Sequence, residues 1–132
     1  MKTYHGSCHC GTVRFEADID LAQGTLRCNC SFCLKLRCWA TVVKPESFRL
    51  QAGQGDLTEY QFGAKREQHF FCKHCGVRAF GVGNSPRRGK FYGVSVTCLD
   101  DSTIDELANA PVTFVDGRND EWHTPPFETR YL

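Results

Sequence analysis

Three thiols fall within six residues, at Cys28, Cys30 and Cys33. Two more stand at Cys8 and Cys10, and another two at Cys72 and Cys75. Thiols at gaps of one and two residues are ligands for a divalent cation, and zinc takes four in a tetrahedron. If Cys28 and Cys30 end a strand, period-two alternation sets both on one face and Asn29 on the other. A turn through Ser31 and Phe32 then returns Cys33 to the same point. The fourth ligand must come from elsewhere in the chain, from water or from a substrate, and that choice separates a structural site from a reactive one. Cys72-Lys73-His74-Cys75-Gly76 has the form of a zinc knuckle. Its two cysteines grip the ion, the N–H groups of the turn point at the thiolates, and Gly76 takes the strained conformation that follows.

Spacing leaves two divisions of the seven thiols open. In one, the knuckle pairs with Cys8 and Cys10, and Cys28, Cys30 and Cys33 form a three-thiolate site with an open position. In the other, the knuckle takes two of the central three, and Cys8 and Cys10 are idle. The first is favoured because the central three are a self-sufficient local set. Buried apolar cysteines would have no reason to recur at these gaps. Cys38 and Cys98 stand alone beside apolar residues and read as core packing. His9 and His74 read as exposed or hydrogen-bonding rather than ligating, and His69 and His123 carry no assignment.

The elements that must position these thiols are short strands. Val13, Phe15 and Ala17 alternate with Arg14, Glu16 and Asp18, so residues 2–19 read as a strand pair around Cys8-His9-Cys10-Gly11. Further strands are expected over Thr25–Cys28, Trp39–Val43, Phe48–Gln51, Leu57–Phe62, Gln68–Phe71, Ala79–Val82, Phe91–Val96 and Val112–Val115, with a loop over Gly83–Gly89. Thr103-Ile104-Asp105-Glu106 is a capping box opening one short helix that reaches Asn109. The tail from Trp122 has no periodicity. Many short strands and little helix read as an all-β fold.

The chain has 132 residues, which fits a single domain over 1–132. Its 41% hydrophobic content predicts a packed core, and its net charge of +1 supplies no electrostatic reason for nucleic acid or an anionic membrane as partner. The cluster of Arg87, Arg88 and Lys90 reads as a solvated loop. No stretch approaches the length of a membrane span. Met1 to His5 leads into no apolar run, so a cytoplasmic chain with reduced thiols is expected. Nine cysteines, an odd number, cannot all pair within one chain.

Cys-His-Cys-Gly at Cys8, Cys-Asn-Cys-Ser-Phe-Cys at Cys28 and Phe-Phe-Cys-Lys-His-Cys-Gly at Phe70 together resemble the glutathione-dependent formaldehyde-activating enzyme family, which includes centromere protein V. The likeness runs by motif from Ser7 to about Phe80, and the tail around Val115-Asp116-Gly117 and Pro125-Pro126 is similar to that of short bacterial members. The resemblance implies a mainly β fold, a β-tent of twisted antiparallel sheets around two zinc ions. It implies a structural zinc on Cys8, Cys10, Cys72 and Cys75 and a catalytic zinc on Cys28, Cys30 and Cys33. The activity it implies is a carbon–sulfur lyase reaction read in reverse, joining glutathione to formaldehyde as S-hydroxymethylglutathione. Glutathione is anionic, and Lys35 and Arg37, directly after the central thiols, are the candidates to hold it. The alternatives are a non-catalytic zinc module for a protein partner, and the same zinc–thiolate chemistry on another thiol and aldehyde.

Overall fold

A three-stranded sheet grows from the alternating segment at the start of the chain. The computed structural model describes residues 1–132. β1 (Lys2–Ser7) and β2 (Arg14–Ile19) pair antiparallel, with Ser7 opposite Arg14. Phe15, Ala17 and Ile19 of β2 are buried, as the alternation requires, and the intervening side chains reach solvent. β3 (Thr25–Cys28) and β4 (Trp39–Val43) follow, then β5 (Phe48–Ala52), which joins the other edge of β2. The remaining strands are β6 (Leu57–Tyr60), β7 (Glu67–Cys72), β8 (Arg78–Ser85), β9 (Gly89–Ser95) and β10 (Val112–Val115). They join β3 and β4 in a seven-stranded sheet of order β10-β3-β4-β9-β8-β7-β6.

The mainly β expectation holds, with three local differences. The loop expected over residues 83–89 is largely strand, since Ser85 pairs with Gly89 across a three-residue connection. Gly89 has φ 69°, the left-handed conformation that closes such a hairpin. β10 runs parallel to β3, whereas the other pairs are antiparallel. A short helix, α1 (Ser31–Leu36), stands where a simple turn was expected. The other helix, α2 (Ile104–Asn109), forms where the capping box predicts it, and Thr103 Oγ1 accepts from the Glu106 N–H at 3.1 Å. Glu106 then docks α2 on β1 through the Tyr4 hydroxyl and Lys2 Nζ.

The core lies between the two sheets. Phe48 is its hub, with its ring centroid 5.4 Å from Phe15, 4.7 Å from Phe80 and 4.5 Å from Tyr92. Val13, Val94 and Val96 are wholly buried beside it. Phe15 also lies over Gly6, where any Cβ would collide with the ring. Offset aromatic packing of this kind adds to the area it removes from water. Phe15→Ala should therefore cost about 3–5 kcal/mol, the range for a buried phenylalanine. Urea unfolding followed by circular dichroism should show the midpoint falling sharply, and a midpoint within error of the parent would refute this placing of the core.

Candidate functional site

Two turns with the same construction meet at the first cysteine cluster. One joins β1 to β2 and carries Cys8 and Cys10; the other joins β7 to β8 and carries Cys72 and Cys75. In each, the first cysteine's N–H donates to the carbonyl of the valine five residues on, Val13 or Val77, at 3.0 Å. In each, a glycine with positive φ makes the reversal, Gly11 at 81° and Gly76 at 77°. The four Sγ atoms lie within 4.8 Å of one another. Backbone N–H groups point at the sulfurs, Val13 to Cys8 at 3.3 Å and His74 to Cys72 at 3.4 Å. Of the two divisions open on spacing, the structure assembles the first.

The second cluster is Cys28, Cys30 and Cys33, whose Sγ atoms also lie within 4.8 Å of one another. Its local geometry differs from the expectation. β3 ends at Cys28, and Cys30 is the N-cap of α1, so the strand alternation does not extend across all three. Cys30 Sγ accepts from the Cys33 N–H at 3.3 Å, and Cys28 Sγ accepts from the Cys30 N–H at 3.4 Å. A thiol caps the helix here, in the role usually filled by Ser, Thr, Asp or Asn. Asn29 is buried and used. Its Nδ2 donates to Asp116 at 2.8 Å, and its Oδ1 accepts from the Arg118 N–H at 3.0 Å. This ties the 116–119 turn to the cluster, and a Cβ at Gly117 would run into Cys28 Sγ.

The charge on the trio is uneven. Hydrogen bonds from Cys28 and Cys33 push the Cys30 thiol down to about 2. Cys28 is pushed up to about 11, first by its bond to Cys30, and Cys33 is pushed up further, first by its bond to Cys28 and then by Cys30. Three thiolates this close cannot all ionise unaided, because each like charge opposes the next. A divalent cation is the balancing charge that ionises all of them. Both clusters therefore could hold a metal ion, and their all-sulfur donor sets fit a soft or borderline one.

A shallow pocket beside the trio is lined by Cys28, Cys33, Arg27, Arg37 and the chain end at Tyr131 and Leu132. Arg37, in the left-handed conformation at the end of α1, reaches the Tyr131 carbonyl at 3.5 Å. Lys35 is exposed on the last turn of α1 and does not line the pocket. Phe32, between the ligating positions, packs its ring 4.1 Å from His69 and 5.5 Å from Tyr60. His69, given no role above, is buried and accepts at Nδ1 from Arg78 Nε at 3.2 Å. Its pKa falls to about 4, chiefly through burial and then through the Arg78 charge, so it is neutral. Neither His69 nor Arg78 stands in a motif, so the residue order carried no local signal for their pairing. His74 is exposed and bonded to Asp56, as expected of a non-ligand.

If both clusters bind metal, elemental analysis of protein purified without chelator should return more than one divalent ion per chain. Cys75→Ser should lose the cooperative thermal transition, because the four-thiol cluster joins the two sheets, whereas Cys30→Ser should keep it. One ion or fewer per chain in reduced, metal-supplemented protein would contradict the pair of sites. A Cys75→Ser protein melting like the parent would contradict the structural role.

The model of the glutathione-dependent formaldehyde-activating enzyme family matches residues 3–116. Among solved structures, the chain is similar to the crystal structure of a Rhodobacter sphaeroides protein, at 32% identity and a TM-score of 0.70. That likeness covers 83% of this chain and 99% of the other. The match takes in both cysteine clusters, and the chain belongs to the glutathione-dependent formaldehyde-activating enzyme family.

Proposed function

We propose that this protein is a zinc-dependent enzyme joining glutathione to formaldehyde, with a structural zinc on Cys8, Cys10, Cys72 and Cys75 and a catalytic zinc on Cys28, Cys30 and Cys33. The observation that carries this reading is the difference between the clusters. Four thiols come together in one and three in the other, and no histidine, aspartate, glutamate or further cysteine completes the second. A set of three protein ligands is the pattern of zinc sites that take an exogenous fourth.

Bound among Cys28, Cys30 and Cys33, zinc would lower the pKa of a thiol so that its thiolate persists near neutrality. The rest falls to the chain. Arg37 at the pocket rim offers a fork of donors to a glutathione carboxylate, and Lys35 adds positive charge one turn away. Asn29 and Gly117 hold the far side of the cluster still and leave Cys28 Sγ unobstructed. The thiolate lone pair forms the carbon–sulfur bond to formaldehyde. The C=O π pair moves to oxygen, which takes up a proton in place of the one the thiol lost, and S-hydroxymethylglutathione results.

All nine cysteines are free thiols. No helix is long and apolar enough to cross a membrane. Free thiols suit a reducing compartment, so we place the protein in the cytoplasm, acting on small molecules with neither nucleic acid nor membrane as partner.

The assay is NMR of ¹³C-formaldehyde with glutathione. The zinc-loaded protein should form the adduct faster than the spontaneous reaction, and Cys30→Ser should return the rate to the spontaneous one. Arg37→Ala should raise KM for glutathione by about 5–20-fold with little change in kcat, as expected of a charge-assisted contact made in ground and transition states alike. A spontaneous rate with fully zinc-loaded protein would overturn the substrate assignment.

A further inference from the structure

Arg78 is the one buried cation in the chain, with its side chain 4% exposed, and a single carboxylate, Glu67, faces it. Glu67 approaches Nη2 only to 3.6 Å and is itself 37% exposed. The other partners are His69 Nδ1, Ser95 Oγ at 3.4 Å and Cys38 Sγ at 3.9 Å. A guanidinium with so little neutralisation is costly to bury, and its charge is felt by whatever lies nearby.

The fold makes room for it. The register of β7 and β8 shifts between Phe70 and Phe71, leaving Ala79 as the extra residue of a bulge. Bulges re-aim the side chains beside them. Here Arg78 turns over Gly81, where a Cβ would strike its guanidinium, and Gly93 pairs with Gly81 on the next strand. Two bare positions side by side form the slot that the guanidinium occupies. Ser95 Oγ also donates to the Arg78 carbonyl at 2.8 Å, and the knuckle ends three residues earlier, so the backbone is held on both sides.

Two neighbours link the guanidinium to the three-thiol cluster. Its neighbour Cys38 donates its backbone N–H to the Cys33 carbonyl at 3.0 Å and lines the same pocket as Cys28 and Cys33. Its other neighbour, His69, packs on Phe32 between the ligating positions. We propose that Arg78 is a positioning residue for that cluster, a buried counter-charge that favours an anionic thiolate over a neutral molecule as the fourth ligand. The proposal rests on the reading of Cys28, Cys30 and Cys33 as an open metal site. A divalent ion with three thiolates carries one net negative charge. A fourth thiolate makes it two, whereas a neutral ligand leaves it unchanged. A fixed positive charge in partly dry surroundings stabilises the more negative complex. Glu67 acts against Arg78 and sets how much of its charge is felt.

The test uses cobalt-substituted protein titrated at one pH with 2-mercaptoethanol, which binds as a thiolate, and with imidazole, which binds neutral. Arg78→Met should weaken mercaptoethanol about tenfold, the size expected of one unit charge in partly buried surroundings, and change imidazole less than about twofold. Arg78→Lys should recover most of the thiol affinity. Glu67→Gln, at a half-exposed position, should strengthen mercaptoethanol by a few-fold and leave imidazole unchanged. Parallel weakening of both ligands in Arg78→Met, or no change in either, would overturn the proposal. Should Arg78→Met fail to fold, Glu67→Gln decides, and unchanged or weaker thiol binding there overturns it. A parent spectrum indifferent to both ligands would remove the open site itself. Normal selectivity without formaldehyde turnover would remove only the substrate and support Arg78's role.

Discussion

Like charges crowded together are the constraint on which this molecule depends. Seven cysteine sulfurs are packed into two groups, each within 4.8 Å. Neither group can ionise fully without a cation, and neither would be worth assembling as neutral thiols, which pack no better than small apolar side chains. The turns around them make sense as holders for a metal. Backbone N–H groups aim at Cys8, Cys28, Cys30 and Cys72, and glycines take the positive φ that two of the turns demand.

The two groups hold different parts of the fold. Cys8 and Cys10 hang from the three-stranded sheet, and Cys72 and Cys75 from the seven-stranded one, so their cluster fastens one sheet to the other over the Phe48 core. The fastening spans more than sixty positions of chain, where a cross-link removes much freedom from the unfolded state. Cys28, Cys30 and Cys33 lie within one short run between β3 and α1 and fasten nothing distant. A metal held at a local site of this kind would be available for chemistry, because the fold does not hang from it. Arg78 follows the first, three residues after Cys75, and touches Cys38, a neighbour of the second.

Much of this was legible in the residue order. The alternation around Phe15 placed β1 and β2, Thr103 placed α2, and the cysteine gaps marked the seven thiols while leaving their division between two clusters open. What escaped was carried by contacts between distant segments. α1 is only six residues long and is capped by a thiol, so no ordinary start signal announced it. The parallel pairing of β10 depends on the crossover through α2, which alternation does not encode. His69 carried no assignment, and Arg78, just before the strand expected at Ala79–Val82, was not singled out. Only the bulge beside Ala79 and the glycine pair at Gly81 and Gly93 turn Arg78 inward, and both are properties of strand pairing rather than of local pattern.

The central claim is that one cluster is closed by four cysteines and the other completed by a substrate thiol. Zinc K-edge X-ray absorption on protein with two zinc ions, before and after saturation with glutathione, reads this directly. The account predicts an average of about 3.5 sulfur ligands per zinc, with the remainder oxygen or nitrogen, rising to about four with the thiol bound. An average already at four, unchanged by glutathione, would mean that both sites are closed and would contradict it.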